Sequence, residues 1–210
     1  MARETTSLRE RQRARTQNDI LEAVIEVIAS SASDGPVIEQ IAGEAGVSRA
    51  TLYAHFPGGM DELVTKAYER AALRFIERVH ERQAEAGSWR ERIVAHGRAM
   101  VDIAEKGPLG RFYNISAAHY TSVAAVSGIG SRASHDDFVV ELAAAADRGE
   151  LADVDIEETA HLLTGAVRII GVRAAESPKL GLASLHAFER LIEGLREAAP
   201  NPGTGSPEAR

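Results

Sequence analysis

The stretch that most constrains this chain is Ile41 to Phe56, IAGEAGVSRATLYAHF, where two short helical patterns meet at a sharp polar stop. Ile38, Ile41, Ala42 and Ala45 recur at helical spacing and give the first segment one apolar face. Gly46 stands where a helix ends in the left-handed conformation that glycine alone adopts without strain. Val47 follows, placed to plug the corner. Ser48 suits the N-cap of the second segment, because its hydroxyl accepts from a free backbone N–H. Leu52 and Phe56, four residues apart, set that second helix on the same core. Arg49, Ala50, Thr51, Tyr53 and His55 are left outward: a cation, small residues, a hydroxyl, a phenol and an imidazole. A helix, a short turn and a second helix with a polar outer face form the helix-turn-helix pattern, whose second helix enters the major groove of DNA. A helical corner that only packs is the competing reading.

AGVSRATLYAHF, followed by FPGG and DEL, resembles the recognition unit of the TetR family of bacterial one-component regulators. The resemblance is close from about Ile20 to Tyr68 and continues beyond by helix pattern alone. It implies an all-α chain with a three-helix, helix-turn-helix DNA-binding domain over 1–60. A larger helical bundle over 61–199 would bind ligand and dimerise, and 200–210 would be a disordered tail. The implied partners are double-stranded operator DNA, a small-molecule effector and a second copy of the chain. By alignment Ser48, Arg49, Ala50, Thr51, Tyr53 and His55 face the groove or its phosphates. Arg49 is the candidate for bidentate guanine readout, and Tyr53 and His55 for contacts to the DNA backbone. Relatives carry a hydroxyl residue near Val37 and a lysine where Met60 stands, and this sequence has neither.

With 210 residues, 44% hydrophobic and 26% charged, the chain can bury a sizeable core. It has no cysteine, which excludes disulfides and thiolate zinc sites. No apolar run reaches about 18 residues, and MARETTSLRERQRAR leads into no signal-peptide core, so a cytoplasmic protein is expected. The net charge of −7 argues against a nonspecific nucleic-acid binder. Residues 1–60 hold six arginines against eight acids, and five of those arginines precede residue 16. Arg9 to Arg15 therefore read as an arm that tracks phosphates or a minor groove, with Arg13 and Arg15 as candidate contacts.

Along the chain, Ile20, Val24, Val27 and Ile28 mark a first helix from about Arg11 to Ser30. Ser31 to Pro36 reads as a turn, with Asp34 as cap and Pro36 in the following first turn. A long helix spans about 63–85, and Ser88 to Glu91 is a capping box opening another to Glu105. Gly107-Pro108 stops that helix, Leu109 to His119 is a short one, and Thr121 to Ser131 reads as a loop or a frayed helix start. Helices are expected from Phe138 to Asp147, from Asp155 through an almost wholly apolar Ala160–Ala175, and over Leu182–Ala198. Leu185, Phe188, Ile192 and Leu195 form a narrow seam of coiled-coil type. The resemblance assigns these last two helices to the dimer interface, through Gly165, Ile169, Leu185, Phe188, Ile192 and Leu195. It also places a ligand between the 63–85 helix and those after it. The candidate wall is Phe75, Val79, Met100, Ile103, Phe112, Tyr113, Tyr120 and His161.

An enzyme is the competing class. Gly128-Ile-Gly130-Ser-Arg-Ala133 fits G-x-G-x-x-A, but that fingerprint needs a preceding strand and a βαβ unit, and none is patterned here. G-x-S-x-G and H-E-x-x-H are absent, and His80, His96, His119, His135 and His161 are scattered without a pair at i, i+4. Neither catalysis nor a metal or cofactor is expected. The reading is a ligand-responsive repressor that binds a palindromic operator as a homodimer. The alternative is an all-α enzyme or scaffold that does not bind DNA.

Overall fold

Ser7 opens the first helix: its hydroxyl accepts from the Glu10 amide at 3.2 Å, while the Glu10 carboxylate accepts from the Ser7 amide at 2.7 Å. This reciprocal box starts α1 (Leu8–Ser30) ahead of its apolar stripe, so Arg9 to Arg15 are helical rather than an extended arm. Residues two apart on a helix point about 200° apart. Arg13 and Arg15 are both exposed, yet they cannot face one surface of a duplex together. The computed structural model describes residues 7–30, 37–120, 128–151 and 153–195. The expected turn at Ser31–Pro36 with its Asp34 cap, most of the loop at 121–127 and the 200–210 tail lie outside them.

Among the described residues the regular structure is helical. After α1 come α2 (Val37–Glu44), α3 (Arg49–His55) and α4 (Gly59–Gln83). These are followed by α5 (Trp89–Ala104), α6 (Pro108–Asn114) and a single 3-10 turn at Ser116–His119. Last come α7 (Ile129–Asp147), α8 (Ile156–Glu176) and α9 (Pro178–Gly194). Ser88 caps α5 by accepting from the Glu91 amide at 3.2 Å; Glu91 reaches back one residue further than the simple box, to the Gly87 amide at 2.7 Å. Asp155 caps α8 in the same way, accepting from the Glu158 amide at 3.0 Å.

One continuous apolar core runs through the chain. Ile20, Val24, Ile41, Leu52 and Leu63 fill its N-terminal end, and Phe75, Phe112, Phe138 and Phe188 the larger end. α4 joins the two, packing on α1 at one end and on α5, α6 and α7 at the other. α1 also rests directly on α6. α8 and α9 pack together and against α5.

Two expectations are corrected here. α7 begins at Ile129, nine residues before Phe138, so of the two readings of this stretch Gly130 takes the helix start and not the loop. A Cβ on Gly130 would sit 2.3 Å from the Tyr113 hydroxyl, so its lack of a side chain lets α7 close on the core and cradles no phosphate. Leu185, Phe188 and Ile192 are buried inside the protomer, with Leu185 and Phe188 against Gly97 of α5. Their narrow seam is covered by the chain's own helix, which leaves no surface there for a partner.

Candidate nucleic-acid interface and the cavity behind it

The α2–α3 corner is fixed by backbone hydrogen bonds. Val47 N–H donates to Ala42 C=O at 2.9 Å and Gly46 N–H to Gly43 C=O at 3.1 Å, the paired bonds of a Schellman ending. Gly46 has φ +66°, the left-handed value the ending requires. Val47 then packs half-buried against the core. Ser48 Oγ accepts from the Thr51 amide at 3.0 Å and lies 2.8 Å from the Thr51 hydroxyl, which starts α3 without strain. Leu52 and Phe56 are buried beneath it. Arg49, Ala50, Thr51 and Tyr53 are exposed on α3, as is the capping Ser48.

The remaining candidates behave differently. His55 is half-buried, and its Nδ1 is shut off from solvent without a hydrogen-bond partner among the described residues. Met60 is half-buried and packs on the core. The start of α4 is occupied by its own acid: Glu62 accepts from the Gly58 amide at 2.8 Å, satisfying a donor that an anion could otherwise take. Arg49 forms an ion pair with Glu39 of α2, and both side chains are about half exposed. A pair so open to water holds by at most about 1 kcal/mol, so phosphate or guanine can displace it. On the opposite side, Glu22 of α1 pairs with both Arg70, at 2.9 Å, and Arg74 of α4. That fork ties the corner's supporting helix to α4. Sequence periodicity showed neither Glu39 nor this fork, since each joins residues far apart in the chain.

Behind the corner, a cavity of about 40 Å³ lies between α4, α5, α6, α7 and α8, lined by Tyr68, Phe75, Met100, Tyr113, Asn114, Gly130, Ser131, Ser134, Thr164, Val167, Arg168 and Val172. Of the expected wall, Phe75, Met100 and Tyr113 are here. Val79 lines a neighbouring cavity of about 170 Å³ with Phe75, His96 and Asp137. Ile103 and Phe112 are fully buried core residues, Tyr120 is half-buried and His161 is exposed; none of them lines either cavity. Thr164, Arg168 and Val172 were missed, although their spacing of four puts them on one face of α8. Tyr68 and Tyr113 stack with centroids 5.0 Å apart, and burial pushes both phenols up, so each stays a neutral hydrogen-bonding group. Among the described residues Arg168 has no hydrogen bond or ion pair, and its charge acts on both phenols.

Of the expected interface residues, Gly165 and Ile169 are exposed. With them on the outer faces of α8 and α9 stand Leu162, 75% exposed, Leu182 and Leu191, 62% exposed. Leu195 is half-buried against the core.

Comparison with known proteins agrees with this arrangement. Residues 20–67 match the family model for bacterial regulatory proteins of the tetR family. No curated protein matches the chain. Among solved structures, a TetR transcriptional regulator from Chloroflexus aurantiacus superposes with a TM-score of 0.73 at 18% identity, covering 90% of this chain and all of that one (100%). A transcriptional regulator from Saccharomonospora viridis, solved in complex with choline, gives 0.72 at 19% identity over 88% of this chain and 100% of that one. The fatty acid degradation regulator FadR from Bacillus halodurans gives 0.71 at 14% identity over 85% and 95%. No helix among the described residues is long and apolar enough to cross a membrane. Residues 20–67 thus carry the DNA-binding domain described for bacterial regulatory proteins of the tetR family, and the fold of the chain is shared over nearly its whole length with solved TetR regulators.

Proposed function

We propose that the protein is a ligand-responsive repressor that binds a palindromic operator as a homodimer, with residues 1–60 reading DNA and 61–199 sensing and dimerising. The observation that carries this is the exposed face of α3, where Arg49, Thr51 and Tyr53 project from a corner whose apolar side is completely used. Ser48, Arg49, Ala50, Thr51 and Tyr53 meet the groove, and His55 supports the helix from below. Arg13 or Arg15, but not both, meets phosphate. Two-fold readers need two half-sites in register. The exposed apolar residues Leu162, Ile169, Leu182 and Leu191 support pairing through the outer faces of α8 and α9.

The effector enters the cavity beside Tyr68, Tyr113 and Arg168. In the described state about 40 Å³ holds no more than a water or two, so the effector binds a more open arrangement. The relatives that hold choline or regulate fatty acid degradation support a small molecule with an apolar body and one polar end. α4 carries the opening to the corner, and effector and operator weaken one another reciprocally.

Mobility shift of the purified chain on its own upstream intergenic DNA is the test. A discrete complex that survives competitor DNA and is weakened by an effector found by thermal-shift screening is expected. A chain that leaves this DNA and whole genomic fragments unshifted overturns the reading, and an effector that binds equally with and without operator overturns the α4 linkage.

A further inference from the structure

Along the same α7–α8 seam as the cavity, toward the start of α8, His135 of α7 meets Glu157 and His161 of α8. His135 Nε2 lies 3.1 Å from His161 Nδ1 and 3.5 Å from a Glu157 carboxylate oxygen, and the three ligand atoms all fall within 4.8 Å of one another. A zinc ion with bonds of about 2.0–2.1 Å places tetrahedral ligand atoms about 3.3 Å apart. The two short separations bracket that edge, and the third side of the triangle has room to close on it. Glu157 and His161 stand at i and i+4, on one face of the first turns of α8. A carboxylate and a histidine at this spacing can clamp a metal as two histidines do, although the motif carries no paired histidines.

The surroundings favour a cation. His161 Nδ1 also contacts the Glu157 carbonyl oxygen at 2.9 Å, so in the metal-free chain its proton is shared between that oxygen and the His135 ring. His135 then carries its own proton on Nδ1, where the Asp136 carboxylate stands 3.5 Å away. A carboxylate behind a ligating imidazole fixes its tautomer and raises its basicity. His135 is mostly covered while Glu157 and His161 are exposed, which gives an ion a route in.

We propose that His135, Glu157 and His161 form a zinc site that staples α7 to α8, with solvent at the fourth position. Two imidazoles and one carboxylate are a sufficient protein set for zinc with an open position. On binding, the neutral His161 ring moves its proton from Nδ1 to Nε2 through solvent, and the freed Nδ1 lone pair takes the metal.

The test uses the full chain without a histidine tag and with Zn²⁺ and Co²⁺ alone as probes. One equivalent of Co²⁺ should give the intense visible bands of tetrahedral coordination, and Zn²⁺ should displace it and raise the melting temperature by several degrees. In the H135A/H161A double variant, checked for fold by circular dichroism, affinity should drop by more than about tenfold and the Zn²⁺-dependent rise should vanish. Should that variant fail to fold, Glu157→Gln, which keeps shape and both imidazoles, should weaken Co²⁺ binding by about tenfold. Equal affinity in wild type and the folded variant, or only the pale spectrum of the aqueous Co²⁺ ion, overturns the proposal.

Discussion

Arg49 is already paired within its own chain. Its guanidinium is held by Glu39, so any base contact it makes exchanges one exposed carboxylate for guanine or phosphate acceptors. Arg49→Ala should lose about 1–3 kcal/mol of discrimination at one base pair in each half-site, measured by mobility shift on a panel of operator variants. A uniform loss on every DNA would make Arg49 a phosphate contact instead. Glu39→Gln should tighten binding on all sequences, because it frees the guanidinium and removes a negative charge beside the phosphates. A different chemistry operates at His96. Its Nδ1 lies 3.0 Å from Ser134 Oγ, and its Nε2 3.2 Å from Gln83 Nε2 and 3.4 Å from an Asp137 carboxylate oxygen. Burial holds its pKa below the usual histidine range. Asp137 is held below the usual carboxylate range chiefly by its contact with His96. The two effects cannot both act in full, since a neutral ring lends Asp137 no charge, and burial decides for the neutral ring. Below about pH 6.5 the unfolded chain binds a proton at this histidine that the native state does not. Stability contributed here is therefore complete above that pH and falls as the pH drops through it. Urea unfolding between pH 7.5 and 5.5 should show that loss, and His96→Gln should flatten it.

The corner depends on Gly46 as an element depends on its stop. Nothing lies within 4 Å of where a Cβ would stand, so Gly46→Ala meets backbone strain alone. It should cost about 1–2 kcal/mol, read as a fall in thermal midpoint, and Gly46→Asn should recover part of it. Much of this level was legible in the sequence. Gly46, Ser48, Ser88 and Asp155 mark helix ends by local chemistry alone, and the structure places each at an end. Ser7-x-x-Glu10 was equally legible and would have moved the start of α1 to Leu8. The start of α7 was only half legible, because Gly130 is intrinsically a poor helix former and holds its place by packing against Phe75 and Tyr113. Nor could the α9 seam be assigned. A 3-4-3 spacing fixes which side is buried but not whether the cover is the chain's own α5 or a second copy.

For the whole molecule, that distinction separates two substitutions that look alike in sequence. Ile169 is 59% exposed and Ile192 1%. Ile169→Arg, alone or with Leu162→Arg, should give a folded monomer by light scattering. Ile192→Arg should unfold the chain, since it forces a charge into the core at a cost of several kcal/mol. A dimer unchanged by the first pair would put the interface elsewhere. α4 runs unbroken for 25 residues, about 37 Å, and is tied near its middle to α1 by the Glu22 fork. The contact of α1 on α6 adds a second attachment between reading head and body. The head is consequently not an interchangeable cassette. A hybrid joined at residue 60 would inherit a foreign α1 resting on a native α6, and an engineer exchanging the N-terminal domain would have to transplant the α6 surface along with it.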